Sequence, residues 1–311
     1  MKIAVIYGGK SSEREVSLRS GAEVLQALSS QGHEVAGFDL SDNVFEELRS
    51  FSPDVVFIGL HGRLGEDGTV QGALEVLGLP YVGSGVLASA IAIDKAMTKR
   101  ILRSVGVPLA KEVVISKNTQ EFDILMAKQV GESLGWPYIV KPNREGSTIG
   151  LTLAQTPEQA LSGVQQALLL DTEILLEEYV AGTELTAVVI GDASHPEVIG
   201  VIEIIPKAGL YDYDSKYSEG GSQHIIPALI NEETMKEVKR LAALSYQTLG
   251  CQDYGRVDFM LGSSQLVVLE VNTLPGMTKT SLVPDAARAY GLSFESFLNQ
   301  LVKKAYARGN R

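Results

Sequence analysis

The residue pattern predicts an α/β protein in three regions. A doubly wound parallel sheet comes first, and the remaining two thirds mix strands and helices in α+β fashion. Residues 2 to 93 alternate apolar strands with helical stretches, the rhythm of parallel strands joined by crossovers. From Asp94 that rhythm stops, giving way to an amphipathic helix, a Gly106-Val107-Pro108 break and scattered strands. At 311 residues the chain exceeds one typical core, so two or three domains sharing a ligand cleft are expected.

Lys2 to Tyr7 reads as the first strand, ended by Gly8-Gly9, and Ser12-Glu13-Arg14-Glu15 has the form of a capping box opening a helix from about Glu15 to Ser30. Strands follow at Val35 to Asp39 and Asp54 to Leu60. The latter is near-continuously apolar and puts His61 at the carboxyl end of the sheet, facing its crevice. A histidine there suits a ligand contact and equally a backbone hydrogen bond. The second region carries a helix through Arg103, strands near Val113 and at Tyr138 to Lys141, a helix from about Thr156 to Leu170 and the strand Glu173 to Glu178. Ala181-Gly182 reads as a hinge into the third region, which holds strands, a long polar loop, a helix from Glu232 to Leu249, an acidic hairpin and a C-terminal helix.

Composition narrows the function. The 27 basic and 38 acidic residues leave a net charge of -11 with no basic run, which disfavours nucleic acid or an anionic membrane as partner. Cys251 stands alone, so no internal disulfide forms, and no leader or 18-residue apolar span is apparent. A cytoplasmic enzyme of small molecules fits these features. Cys251 has no activating neighbour in the sequence and reads as packing.

The acidic hairpin is the most informative motif. Side chains alternate faces along a strand, so Arg256 and Asp258 share one face of its first arm and Glu270 and Asn272 one face of its second. An odd turn, Ser263-Ser264-Gln265, would set Asp258 opposite Glu270 and Arg256 opposite Asn272. Two carboxylates about 5 Å apart repel by roughly 3 kcal/mol at an effective dielectric near 20, so nearby positive charge is required. Magnesium suits such an oxygen set, and an arginine salt bridge on a solvated hairpin face would also satisfy it.

Three further motifs bear on phosphates. Tyr138 to Leu153 reads as strand, Gly146-containing loop, strand, with Lys141 at the strand end. It lacks the spacing of a P-loop or a dinucleotide fingerprint, as does Gly9-Lys10-Ser11, and alone it is equally an ordinary hairpin turn. Ile174 to Val180 is an apolar strand ending in acids, a candidate adenine edge with Glu177 and a ribose ligand in Glu184, or simply a strand with solvated ends. Pro206 to Pro227, rich in tyrosine, glycine and charge, has the length of a lid that excludes water over a nucleotide.

Lys141 with the Gly146 loop, the linker after Glu177, and the hairpin running into Asn272-Thr273-Leu274-Pro275-Gly276-Met277 together resemble the ATP-grasp ligases. The stretches Gly8 to Ser17, His61 to Gly68, Lys141 to Gly150 and Ser281-Leu282-Val283-Pro284 are similar to the D-alanine-D-alanine ligase family, over nearly the whole chain. The resemblance implies an ATP-grasp fold with an N-terminal substrate domain (1–93), a small central domain (94–181) and a C-terminal domain with metal site and lid (182–311). It implies that Lys95, Lys141 and the Gly146 to Gly150 loop take ATP phosphates, that Glu177, Glu184 and the backbone of Glu178, Tyr179 and Val180 hold adenosine, and that Lys216 adds charge from the lid. Asp258, Glu270 and Asn272 would bind two magnesium ions, with manganese as a substitute.

In the same way Glu13 would bind the first D-alanine's ammonium with His61 nearby, Arg256 and the Gly276 N–H would stabilise an oxyanion, and Ser281 and the Leu282 N–H would take the second D-alanine's carboxylate. Tyr217 and Ser147 would join lid and loop to Glu13. The implied reaction passes through a D-alanyl phosphate and feeds peptidoglycan synthesis, in a homodimer. Asn143, Glu178 and Thr280 depart from residues frequent in the family, and Thr280 leaves the second-substrate pocket least defined. A ligase accepting D-lactate or D-serine second is the alternative, against which Tyr217 weighs. A non-catalytic nucleotide-binding regulator is disfavoured because both acids and Arg256 are present.

Overall fold

The computed structural model describes residues 1–117, 121–206 and 221–309. Strands β1 (Lys2–Tyr7), β2 (Glu34–Asp39), β3 (Val55–Ile58) and β4 (Tyr81–Val82) form a parallel sheet in the order β2-β1-β3-β4. Helices α1 (Arg14–Ser30), α2 (Val44–Phe51) and α3 (Thr69–Val76) make the crossovers. The winding reverses between β1 and β3, so the crevice opens where their carboxyl ends lead into Gly8 and His61. Ser17 pins α1 beneath that crevice: its hydroxyl accepts from the Gly8 N–H at 2.8 Å and donates to the Gly59 carbonyl at 2.6 Å.

The expected capping box does not form. Glu13 is the N-cap of α1 without a side-chain cap, while Ser12 donates to Glu145 at 3.3 Å and Ser147 donates to Glu13 from across the cleft. Long-range partners hold both side chains away from the helix end they would otherwise satisfy.

Helices α4 (Val86–Ile93) and α5 (Lys95–Ser104) lead into the second region, with Asp94 capping α5 by accepting from the Met97 N–H at 2.9 Å. Strands β5 (Glu112–Ser116), β6 (Tyr138–Pro142), β7 (Thr152–Ala154) and β8 (Glu173–Glu178) form an antiparallel sheet ordered β5-β8-β6-β7. Helices α6 (Ile124–Leu134) and α7 (Pro157–Ala167) pack on it through Ala127, Val130, Ala160 and Val164.

The third sheet joins β9 (Gly182–Gly191), β10 (Glu197–Pro206), β11 (Ser222–Ile225), β12 (Asp253–Gly262) and β13 (Leu266–Asn272) in the antiparallel order β11-β10-β9-β12-β13. Leu185, Ala187 and Val189 face helix α8 (Glu232–Thr248), whereas Val188 and Ile190 face the opposite way. There they meet α9 (Leu282–Ala289), α10 (Phe294–Gly309) and the N-terminal sheet in one continuous core. The C-terminal helix thus returns to the first region: Arg308 pairs with Asp253 at 2.7 Å and donates to the Tyr81 carbonyl at 2.8 Å.

Of the expected hinge Ala181-Gly182, Gly182 is the first residue of β9 and pairs with Gly262. A Cβ on Gly182 would lie 2.0 Å from the Leu261 carbonyl oxygen, so close strand crossing accounts for the glycine. No helix among the described residues is long and apolar enough to cross a membrane.

Candidate active site

Arg256 stands opposite Asn272 and Asp258 opposite Glu270, as the alternation of side chains required. The means differ from expectation. The turn has two central residues, Ser263 and Ser264, closed by the Gly262 N–H donating to the Gln265 carbonyl at 2.8 Å. Near it Phe259 pairs with Val268, and a bulge at Leu269 then shifts the register to bring Asp258 against Glu270. The odd residue sits within the strand, where a bulge re-aims neighbouring side chains, and not in the turn.

Asp258 is buried and heavily bonded. Arg256 grips it through two nitrogens at 2.8 and 2.9 Å, the Asn272 amide donates at 3.1 Å and the Thr186 hydroxyl at 2.6 Å. The Arg256 salt bridge and the acidic pair therefore coexist, in a cleft and not on a solvated face. Lys95 reaches Glu270 at 3.5 Å and donates to the Glu145 carbonyl at 2.7 Å, tying α5 to the glycine loop.

Two cavities meet here. The larger is lined by Lys95, Lys141, Tyr179, Val180, Glu184 and Asp258 among others, an apolar cleft into which a few charged groups converge. The second is lined by Glu13, His61, Arg256, Asn272, Gly276, Ser281 and Leu282. Gly146, Ser147 and Glu270 border both. Residues more than 250 positions apart thereby surround one junction.

Within the second cavity His61 is buried; its Nδ1–H donates to the Leu274 carbonyl at 3.2 Å and its Nε2 lies 3.2 Å from the Ser20 hydroxyl. Burial works against its charge, but Glu66, 3.9 Å away, together with Glu13 and the Leu274 carbonyl, more than offsets this and raises its pKa above the usual histidine value. His61 thus serves as both cavity wall and backbone hydrogen-bonder. Ser281 is the N-cap of α9, and its hydroxyl lies 2.7 Å from that of Thr278. The Leu282 N–H is in the first turn of that helix, where a carboxylate finds unpaired donors. Thr280 lines the same cavity, as does His224, whose Nδ1 is 2.8 Å from Asp285.

Glu177 lines the larger cavity, as expected, and its buried carboxylate also lies between Lys99 and Lys141, the latter at 2.5 Å. The Glu178 N–H donates to the Lys111 carbonyl at 2.9 Å within the sheet, and the Glu178 carboxylate accepts from the Lys111 N–H at 3.3 Å. Lys216, Tyr217 and the lid expected around them lie outside the described residues.

Sequence reasoning missed Lys99, Thr186, Glu66 and His224. Lys99 had a signal: it follows Lys95 by four positions, on the same helical face. Thr186 and His224 had none, since their partners, Asp258 and Asp285, are distant in the chain.

No group of three or more His, Cys, Asp and Glu side chains able to hold a metal occurs among the described residues. Asp258, Glu270 and the Asn272 amide offer a smaller, all-oxygen set beside two lysines. That set fits a hard dication only when phosphate oxygens and water complete its shell, which is magnesium's habit.

Two family models match the chain, described as the D-ala D-ala ligase N-terminus over residues 2–47 and 40–84 and the D-ala D-ala ligase C-terminus over residues 101–303. The chain belongs to the D-alanine-D-alanine ligase family. Among its relatives, the D-alanine-D-alanine ligase of Halalkalibacterium halodurans is 49% identical over 98% of this chain and 100% of its own length. That of Desulforamulus reducens is 46% identical over 98% of each. The crystal structure of the Bacillus anthracis ligase complexed with ATP is 31% identical, covers 100% of this chain and 99% of its own, and superposes with a TM-score of 0.84. Family membership makes the chain an ATP-grasp enzyme of the ligase class and agrees with the parallel sheet followed by two antiparallel ones.

Proposed function

We propose that the chain joins two D-alanine molecules into D-alanyl-D-alanine at the cost of ATP, supplying peptidoglycan precursors from the cytoplasm. The observation that carries this reading is the junction of two cavities at Gly146, Ser147 and Glu270. A phosphate donor in one cavity and a carboxylate in the other would meet there, the arrangement that phosphoryl transfer needs.

Lys95 and Lys141 neutralise polyphosphate charge in the larger cavity, with Glu184, Tyr179 and Val180 around the nucleoside. Magnesium would be held by Asp258, Glu270 and Asn272, and when bound it supplies charge neutralisation at the transferring phosphoryl group. Glu13 receives the first D-alanine's ammonium. A carboxylate oxygen of that D-alanine takes the γ-phosphoryl group, the bond from that phosphorus to ADP breaks, and a D-alanyl phosphate results.

The second D-alanine, its carboxylate on Ser281 and the Leu282 N–H, attacks the acyl carbon with its free amine. Arg256 and the Gly276 N–H stabilise the resulting oxyanion, a contribution worth about 3 kcal/mol per donor in comparable sites. Collapse breaks the bond to phosphate, which leaves with the proton lost by nitrogen.

The test is phosphate release with ATP, Mg²⁺ and D-alanine, with the product identified by mass. Release dependent on D-alanine together with the dipeptide supports the reading, and release without dipeptide refutes it. Adding D-lactate or D-serine at neutral pH decides the second substrate. A depsipeptide or mixed dipeptide as main product would transfer the reading to that alternative.

A further inference from the structure

Lys99 is 1% exposed, and an enclosed lysine needs a charge partner to stay folded in place. From α5 its Nζ donates to Glu177 Oε1 at the end of β8, while Glu177 Oε2 accepts from Lys141 Nζ on β6 at 2.5 Å. One carboxylate is held between two ammonium groups. Their exposure is graded: the Lys141 side chain is 13% exposed, Glu177 4% and Lys99 1%, so Lys141 presents itself to the large cleft and Lys99 lies behind.

The charge balance of this row matters to an anionic ligand. Lys141 and Glu177 alone cancel, and a polyphosphate entering the cleft would meet a neutral pair. With Lys99 included the row carries one net positive charge, displayed at its cleft end. Burial opposes charge on all three groups, yet the ion pairing leaves Glu177 below its ordinary carboxylate range and Lys141 above its ordinary range, while Lys99 is drawn down by its enclosure.

We propose that Lys99 is a positioning residue for nucleotide binding: it occupies one oxygen of Glu177, so that Lys141 keeps its positive charge for phosphates. This rests on the reading of the large cleft as an ATP site. No contact between Lys99 and the nucleotide is involved.

The experiment compares the wild-type chain, Lys99→Met, and Lys99→Met combined with Glu177→Gln. Binding of a non-hydrolysable ATP analogue with Mg²⁺ is measured by calorimetry, and KM for ATP and for D-alanine by phosphate release. Lys99→Met is expected to weaken the analogue and raise KM for ATP tenfold or more, with KM for D-alanine within twofold. The double variant removes both buried charges and leaves Lys141 cationic beside a neutral hydrogen-bond acceptor, so it should recover to within threefold of wild type. A packing role alone predicts no such rescue.

Analogue binding by Lys99→Met within twofold of wild type, or a double variant no better than the single, overturns the proposal. Where the single variant does not fold, the double variant decides alone: affinity within threefold of wild type supports the proposal and a tenfold loss overturns it. A wild-type chain that does not bind the analogue overturns the nucleotide reading and the Lys99 proposal together, whereas failure confined to the variants' pattern overturns only the latter.

Discussion

One added methyl group at Gly146 would strike the junction between the cavities. A Cβ there stands 2.9 Å from Glu13 Oε2, 3.4 Å from its Cδ and 3.5 Å from Oε1. Ordinary contact lies near 3.5 Å, so the carboxylate must retreat by roughly half an ångström. It has little room, being 4% exposed and held by the Ser147 hydroxyl. A hydrogen bond to a charged group contributes about 1.5 to 3 kcal/mol. If the displaced Glu13 loses its bond to the substrate ammonium, Gly146→Ala should lower kcat/KM for D-alanine roughly ten- to 150-fold. Ser147→Ala disturbs the same carboxylate from its other side, so the two losses should not add. Initial rates at saturating ATP, with D-alanine varied, provide the measurement for both variants and their combination. Strictly additive losses, a loss under threefold, or an effect confined to KM for ATP would refute the placement of Glu13.

Glu270→Gln removes the carboxylate that borders both cavities and is expected to abolish dipeptide formation while only weakening analogue binding; unchanged turnover would remove the metal argument. Burial pushes the Cys251 thiol up to about 12 from its ordinary 9.0. The folded chain therefore keeps a proton that the unfolded chain loses, and stability falls as pH rises from 9 toward 12, by about 1.4 kcal/mol near pH 10. Denaturant midpoints compared between pH 8 and 10 should show a correspondingly smaller drop for Cys251→Ala than for wild type. Phe297, 1% exposed in the core shared by α10 and both neighbouring sheets, should cost about 3 to 5 kcal/mol when cut to alanine. Calorimetry should show the N-terminal sheet and the third sheet melting together at a lower temperature, and an isolated early transition of the N-terminal sheet would contradict the shared core.

Much of the fold is local and was therefore readable along the chain. The β1 and β8 spans agree residue for residue with their apolar runs, and Thr156 and Asn231 cap α7 and α8 at the starts their patterns indicate. Period-two alternation alone put Arg256 and Asp258 on one face of their strand and Glu270 and Asn272 on one face of theirs, because a strand leaves side chains no third option. Which faces would meet was another matter. The Leu269 bulge supplies the register that the two-residue turn does not, and a bulge answers to packing on the sheet more than to its own residue type.

Glu13 was legible as a helix-start residue, but Ser147, 134 positions away, decides where its carboxylate goes. Glu177 had the look of a strand-end acid; two lysines from other elements claim it. The return of α10 to the N-terminal sheet, and with it the Arg308 to Asp253 pair, has no trace in any short window. Spacing and alternation express steric limits between near neighbours, so the sequence by itself determined the elements, their faces and the family. The partners of buried charges are chosen by desolvation, which depends on what the rest of the chain places around them, and only the tertiary structure could decide those.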